Sequence, residues 1–289
     1  MRLKLKYPFD WGGLEDFSSY AFDVHGVPQV DYGADIGLRY NAITVSQYGL
    51  YRLQQFADNG SEEHLARAMA CADWLLAHAQ IWDKDILAWI YEYDLPFYGP
   101  KAPWISAMAQ GEGVSLLIRC HVLQKKPAYL EVARAAIKAL ELPVAEGGVL
   151  DFLSDGSSWF EEYPTRPASH VFNGHVFALL GVVDCADYLD LPDYWALYQR
   201  GISSIETNWR LWDRGFWTRY DLHRSNRLAS HMYQKVHIRL MTLLAYRTAR
   251  PVFYSVARRW RKMLHDPWCN IIWLLMKSKE KLLQRRTWL

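Results

Sequence analysis

Along the first 42 residues the apolar positions follow no helical period. Phe17-Ser-Ser-Tyr-Ala-Phe-Asp23 and Val27-Pro-Gln-Val-Asp-Tyr32 flank a His25-Gly26 turn, which predicts a hairpin. From about Val45 the spacing becomes helical. Tyr48, Tyr51, Leu53 and Phe56 crowd one face, and Asn59-Gly60 ends the run. Ser61-Glu-Glu-His64 predicts a capping box ahead of Leu65, Ala68, Ala72, Leu75 and Leu76. The same period predicts helices over 110–124, 127–141, 171–189, 192–208, 233–249, 251–264 and 268–284.

Aromatic, non-helical stretches separate the helix pairs at 88–94, 150–156 and 215–221, and the first and third share a Trp…Tyr-Asp pattern. Helix–helix–hairpin units repeated in this way predict a mainly α fold, an (α/α) toroid or incomplete α/α barrel with short β-hairpins. Its core helices would be apolar and its end loops would line a central cleft; a plain helical solenoid is the alternative. The expected organisation is an N-terminal extended and hairpin segment over 1–42, a toroid over 43–266 and a basic amphipathic helix over 267–289.

Composition narrows the function. With 289 residues, 51% of them hydrophobic and 22% charged, the chain buries a real core and is no disordered or collagen-like polymer. Its 14 Trp, 18 Tyr and 11 Phe supply flat faces with polar handles, which suit wet clefts and sugar rings. Cys71, Cys120, Cys185 and Cys269 stand far apart in apolar helical contexts, without the spacing of a zinc site or a disulfide framework. No metal or cofactor is expected, and reduced thiols point to a cytoplasmic location. The N-terminal residues lack the apolar run of a signal peptide.

Charge is unevenly distributed. Residues 247–289 carry 11 Lys+Arg against 2 Asp+Glu, and the preceding 246 carry 22 against 29. Trp268, Ile271, Ile272, Leu274, Leu275, Leu282 and Leu283 alternate with Lys277, Lys279, Lys281, Arg285 and Arg286 in the basic tail. The tail reads either as a peripheral contact with anionic lipid at the inner face of the membrane or as a terminal helix closing the toroid. An acidic body without a recognised module argues against nucleic acid.

Four segments carry candidate chemistry. Pro103-Trp-Ile-Ser-Ala-Met-Ala-Gln-Gly-Glu-Gly113 opens a helix with small residues, which favours tight helix packing over ligand approach. Trp159-Phe-Glu-Glu-Tyr-Pro-Thr165 pairs two carboxylates beside a Tyr-Pro break, and Pro164 predicts an extended Tyr163 that points away from Glu162. A surface Glu pair is the competing reading of the same residues. Arg219-Tyr-Asp221 follows an Asp213-Arg-Gly215 turn, where the Tyr could pack and the Asp cap. Tyr233 and His237 lie four apart on one helical face, and a lone helical His is usually structural.

Taken in order, Pro103-Trp-Ile-Ser-Ala-Met-Ala-Gln-Gly111, Glu161-Glu-Tyr-Pro-Thr165, Phe172-Asn-Gly174, Tyr220-Asp-Leu222 and Tyr233-x-x-x-His237-Ile238 resemble heparosan/heparan D-glucuronyl C5-epimerases. Val45-Ser-Gln-Tyr-Gly-Leu50 is similar to that family's first toroid helix. The resemblance spans roughly residues 40–264. In the animal enzymes a β-sandwich follows the Gln-Tyr-Gly helix; there is no room for it here, so the chain resembles a compact prokaryotic form.

The resemblance implies inversion of C5 in D-glucuronate units of a heparosan-like acidic polysaccharide, giving L-iduronate, without a cofactor. It implies a catalytic cluster of Glu162, Tyr163, Tyr220 and Tyr233, with Glu162 and Tyr233 as the opposed proton-transfer pair. Gln110, Asn173 and His237 would be polar contacts, and Tyr40, Tyr48 and Trp104 would stack on sugars. The animal motif reads Tyr-Asp-Leu-Arg, whereas here Tyr220-Asp-Leu is followed by His223 and then Arg224. Arg166, Arg224 and Arg239 are therefore all candidates for neutralising the substrate carboxylate. A uronate lyase, a glycoside hydrolase on a similar toroid and a non-catalytic glycan-binding or membrane-assembly component are the rival functions, and a homodimer is left open.

Overall fold

The structure, a computed structural model, describes residues 4–14, 16–223 and 227–287, with side chains through residue 280. Strands β1 (Ala21–Phe22), β2 (Pro28–Asp31) and β3 (Leu38–Arg39) form an antiparallel sheet in that order. The expected turn joins the first two. Gly26 takes a φ of 78°, and the Asp23 carboxylate accepts the backbone N–H of His25 and Val27, both at 2.9 Å.

Helices follow in antiparallel pairs: α1 (Ala42–Asn59) with α2 (Glu62–His78), α3 (Ala107–Gln124) with α4 (Pro127–Ala136), α5 (Phe172–Leu189) with α6 (Pro192–Asn208), and α7 (His231–Thr248) with α8 (Pro251–His265). Helix α9 (Pro267–Thr287) continues from α8. Two hairpins bridge the pairs, β4 (Gln80–Asp83) with β5 (Ile86–Ala88) and β6 (Leu150–Phe152) with β7 (Ser158–Phe160). Local signals explain the boundaries. Asn41, Ser106 and Ser230 cap α1, α3 and α7 through their side chains, and proline opens α4, α6 and α8. Ser61 is a correction: its side chain makes no cap bond, and its N–H instead donates to Asn59 Oδ1 at 2.9 Å. Helix α4 also ends early, in a 3-10 turn over Ile137–Glu141.

Helices α1, α3, α5 and α7 pack in succession as an inner ring, with α2, α4, α6 and α8 behind them, so the molecule is an α/α toroid. Residues 107–120 of α3 and 172–186 of α5 are buried on every face, the mark of central helices. Where they cross, a Cβ on Gly181 would lie 2.3 Å from the Gly111 carbonyl oxygen, so the first candidate segment serves close helix packing. In the same interface Arg119 Nη1 donates to Asp184 Oδ2 at 2.5 Å, and the Ser115 hydroxyl donates to the same oxygen at 2.7 Å.

The extended N-terminal segment is built into the ring between α1 and α7. Gln54 of α1 donates to the carbonyls of Tyr7 and Phe9, and Arg239 of α7 donates to those of Asp10 and Gly12. Buried Tyr7, Phe9 and Trp11 fill the space, with Trp11 stacked 5.3 Å from Phe177 of α5. All four cysteines are free, and burial pushes the thiols of Cys71, Cys120 and Cys185 up. No helix among the described residues is long and apolar enough to cross a membrane.

Candidate active site

The β6–β7 hairpin delivers two successive carboxylates to different places. At Glu161 the backbone N–H donates to the Val149 carbonyl, and its own carbonyl accepts the N–H of Ala107 at the start of α3. Its buried side chain accepts the Ser169 hydroxyl and the His170 N–H. Glu162 turns instead against Gly174, in the first turn of α5, and is 3% exposed. Burial raises its carboxyl to about 7, against the opposing pull of Tyr163 and Arg227; burial also raises Glu161 to about 6.

Two neighbours of Glu162, Tyr163 and Tyr220, line a cleft of about 360 Å³ with Phe97, Arg227, Tyr233 and Lys277, among others, while Glu162 itself lies behind that lining. The rings of Tyr220 and Tyr233 meet edge to face at 4.5 Å. Tyr163 stacks on Tyr98 at 4.2 Å, and its phenol lies close enough to feel the Glu162 charge. Burial, reinforced by the Glu162 charge, pushes the Tyr163 and Tyr220 phenols well above 10, so both are neutral O–H donors.

Arg227 is the cleft residue that motif matching misses. Its guanidinium lies 4.4 Å above the Tyr220 ring and 3.5 Å from Asp221 Oδ2, and donates to the Tyr98 hydroxyl at 2.5 Å. Tyr98 in turn donates to Asp221 Oδ2 at 2.6 Å. Burial works against the Arg227 charge, but Tyr98, Tyr220 and Asp221 outweigh it and hold the group more firmly protonated. The sequence signal is an arginine seven residues beyond Tyr220, where the family pattern has one three residues beyond.

Tyr163, Tyr220 and Tyr233 thus converge with Glu162, whereas several substrate-contact candidates lie elsewhere. Gln110 is fully buried and spends its amide on backbone groups of Trp89, Leu87 and Ala136, which makes it structural. Tyr48 is 2% exposed, packed against Phe17 and Phe22 under the Arg52 guanidinium, with no free face for a sugar. His237 is sealed against Thr218, Phe172 and Trp260, and burial lowers it to about 3, so it is neutral and structural. Arg239 anchors the N-terminal segment, and Arg166 pairs with Asp151 at 3.0 Å on the far side of the hairpin.

Trp104 is stacked flat on Tyr91 at 4.2 Å and lies 6.1 Å from Tyr163, so it backs the cleft rather than facing a sugar. Tyr40 donates to Asp23 and lines a second pocket of about 240 Å³ with Trp74, His78 and Tyr91. Asn173 leaves a buried Oδ1 without a partner one residue before Gly174. Arg224 lies outside the described residues, as do the side chains of Lys281, Leu282, Leu283, Arg285 and Arg286. Where no metal set was expected, Asp151, Glu161 and His170 bring three ligand atoms within 4.8 Å of one another and could hold a cation. Arg166 and the His170 ring already engage the Asp151 carboxylate.

A family model described as D-glucuronyl C5-epimerase C-terminus matches residues 83–262. An uncharacterized protein of Methanocaldococcus jannaschii is 27% identical, over 74% of this chain and 72% of its own length. The D-glucuronyl C5-epimerase of Caenorhabditis elegans is 31% identical over 69% of this chain but only 35% of its own length. Among solved structures, the unsaturated glucuronyl hydrolase of Bacillus sp. GL1, responsible for the degradation of glycosaminoglycan, superposes with a TM-score of 0.53. It is 16% identical, over 78% of this chain and 62% of that one, and this likeness is one of fold.

Proposed function

The chain belongs to the D-glucuronyl C5-epimerase C-terminal family, and from that premise we propose that it inverts C5 of D-glucuronate units within a heparosan-like polymer. The observation that carries the reading is a cleft lined by three tyrosines and Arg227, with buried Glu162 close behind Tyr163 and Tyr220. Each meets a need of the reaction. Glu162, with a carboxyl near 7, is ionised in part at neutral pH and takes the C5 proton. The C–H electron pair moves into the C5–C6 bond, and the second negative charge spreads over the substrate carboxyl group. Arg227, kept protonated by Asp221 and the neighbouring rings, neutralises it in a site where water is scarce. Tyr233 then gives its O–H proton to C5 from the opposite face, and Tyr163 and Tyr220 donate hydrogen bonds. The resulting tyrosinate and the protonated Glu162 return to their starting states by proton exchange with water, so solvent hydrogen enters at C5.

Heparosan incubated with the protein in heavy water should gain deuterium at C5 and iduronate signals by NMR. Ultraviolet-absorbing unsaturated uronate would mark a lyase, in which the same carbanion expels the C4 oxygen. Shortening of the polymer without unsaturation would mark a hydrolase, the activity named for the fold neighbour.

A second partner is suggested by the outer face of α9, where Trp268, Ile271, Leu274 and Leu275 are exposed beside the basic tail. That pairing of apolar surface with positive charge fits anionic lipid, which would hold the chain peripherally at the cytoplasmic face of a membrane. Flotation with anionic liposomes, compared between the wild type and Ile271→Glu/Leu275→Glu, tests it. A concentration-dependent dimer abolished by the same substitutions would replace it.

A further inference from the structure

Helix α9 is joined to the cleft at several points. The Trp273 indole N–H donates to the Ala229 carbonyl at 2.9 Å, and its ring meets His231 edge-on at 4.1 Å. The Glu280 carboxylate accepts the N–H of Leu228 at 3.1 Å, and His231 Nε2 and Asn270 Oδ1 are 2.8 Å apart. These contacts all fall on residues 228–231, the short segment between Arg227 and Tyr233. One turn from both Trp273 and Glu280 stands Lys277, whose side chain is 18% exposed and lines the cleft. It donates to Glu280 Oε2 at 2.7 Å, which uses one of the three ammonium donors. A lysine with no task at this position would extend its long stem into water.

We infer that α9 is a wall of the substrate cleft and that Lys277 binds a second anionic group of the polymer, the carboxylate of the next uronate along the chain from the one that meets Arg227. This rests on the uronan reading of the cleft. Arg227 and Lys277 line one cavity yet come from different elements, so a substrate carrying more than one uronate engages both, whereas a single uronate engages Arg227 alone. Lys277 thereby favours the interior of a polyuronate over an isolated sugar, and the helix that bears it belongs to the catalytic body.

The test is calorimetric binding of two heparosan oligosaccharides, one with a single uronate and one with three, at low and high salt. Lys277→Met should weaken the longer ligand about fivefold at low salt and leave the shorter unchanged, with less salt dependence than the wild type. Lys277→Arg should restore most of the loss, and Lys279→Met, on an exposed position of the same helix, should leave both ligands unaffected. Equal weakening of both ligands by Lys277→Met, or of neither, overturns the assignment while leaving the uronan reading in place. Wild-type protein that binds neither oligosaccharide removes both.

Discussion

Glu162 occupies the space that a side chain at Gly174 would fill: a Cβ there would lie 2.6 Å from both Cβ and Oε2 of the glutamate. Since Glu162 Cβ is near the backbone and cannot swing aside, an added methyl must displace the carboxylate. Gly174→Ala should therefore fold, as judged by circular dichroism, yet lose on the order of 100-fold in kcat for C5 exchange, because an ångström of misplacement carries a penalty of that size. Exchange at the wild-type rate would show that Glu162 is not the proton acceptor, or that α5 shifts freely.

Burying an ionisable carboxyl at Glu162 costs stability. Its carboxyl is raised from 4.5 to about 7 by burial, so the folded chain holds this proton more tightly than the unfolded chain does. Below pH 4.5 the site contributes no penalty; as pH rises through 7 the folded state loses about 3 kcal/mol at this residue. Glu162→Gln, which stays neutral, should melt about 5 °C above the wild type at pH 8 and alongside it at pH 4.5, while C5 exchange disappears. In the wild type, kcat/KM should rise with pH through a midpoint near 7. A midpoint near 4.5 would mean an ordinary solvated carboxylate.

What the sequence disclosed and what it hid divide along physical lines. Helix α5 is legible because its apolar run is a local signal, and so are the paired order of helices and the toroid they build. Tyr163, Tyr220 and Tyr233 stand out as candidates because they sit in motifs with fixed spacing, and the structure places all three on one cleft. Arg227 does not stand out, since what makes it a site residue is Tyr98, 129 positions away. Gln110 errs in the opposite direction: its motif is intact, but only the fold reveals that backbone groups of two other segments satisfy its amide. The very short strands of the N-terminal sheet, two residues each in β1 and β3, are set by pairing rather than by pattern.

The Arg119–Asp184 pair is buried between the two central helices, both side chains 2% exposed. Removing one member leaves a buried charge without its partner. Arg119→Met should lower stability by about 3–5 kcal/mol in urea unfolding, and Arg119→Met/Asp184→Leu should recover most of it, since an apolar pair of similar volume carries no uncompensated charge. If the single substitution cost under about 1 kcal/mol, Asp184 would have to be neutral or hydrated in the fold.

Four arginines compete for the substrate carboxylate, and three can be ranked by what they already hold. Arg166 is engaged with Asp151 away from the cleft, and Arg239 is committed to two backbone carbonyls that fasten the N-terminal segment. Arg227 alone of these three lines the tyrosine cleft, stacked over Tyr220 with its charge reinforced by Asp221. Arg227→Gln should then reduce kcat for C5 exchange by about 100- to 1000-fold, the scale for losing one donor to a developing anion. Arg227→Lys should recover only part, because an ammonium cannot reproduce the planar fork that stacks on the ring. Arg166→Gln should stay within about twofold of wild type in kcat, and Arg239→Gln should lower the melting temperature more than the turnover, as expected for groups outside the reacting centre. Arg224→Gln belongs in the same series, and a loss there matching that of Arg227→Gln would move the carboxylate contact back toward the family's register.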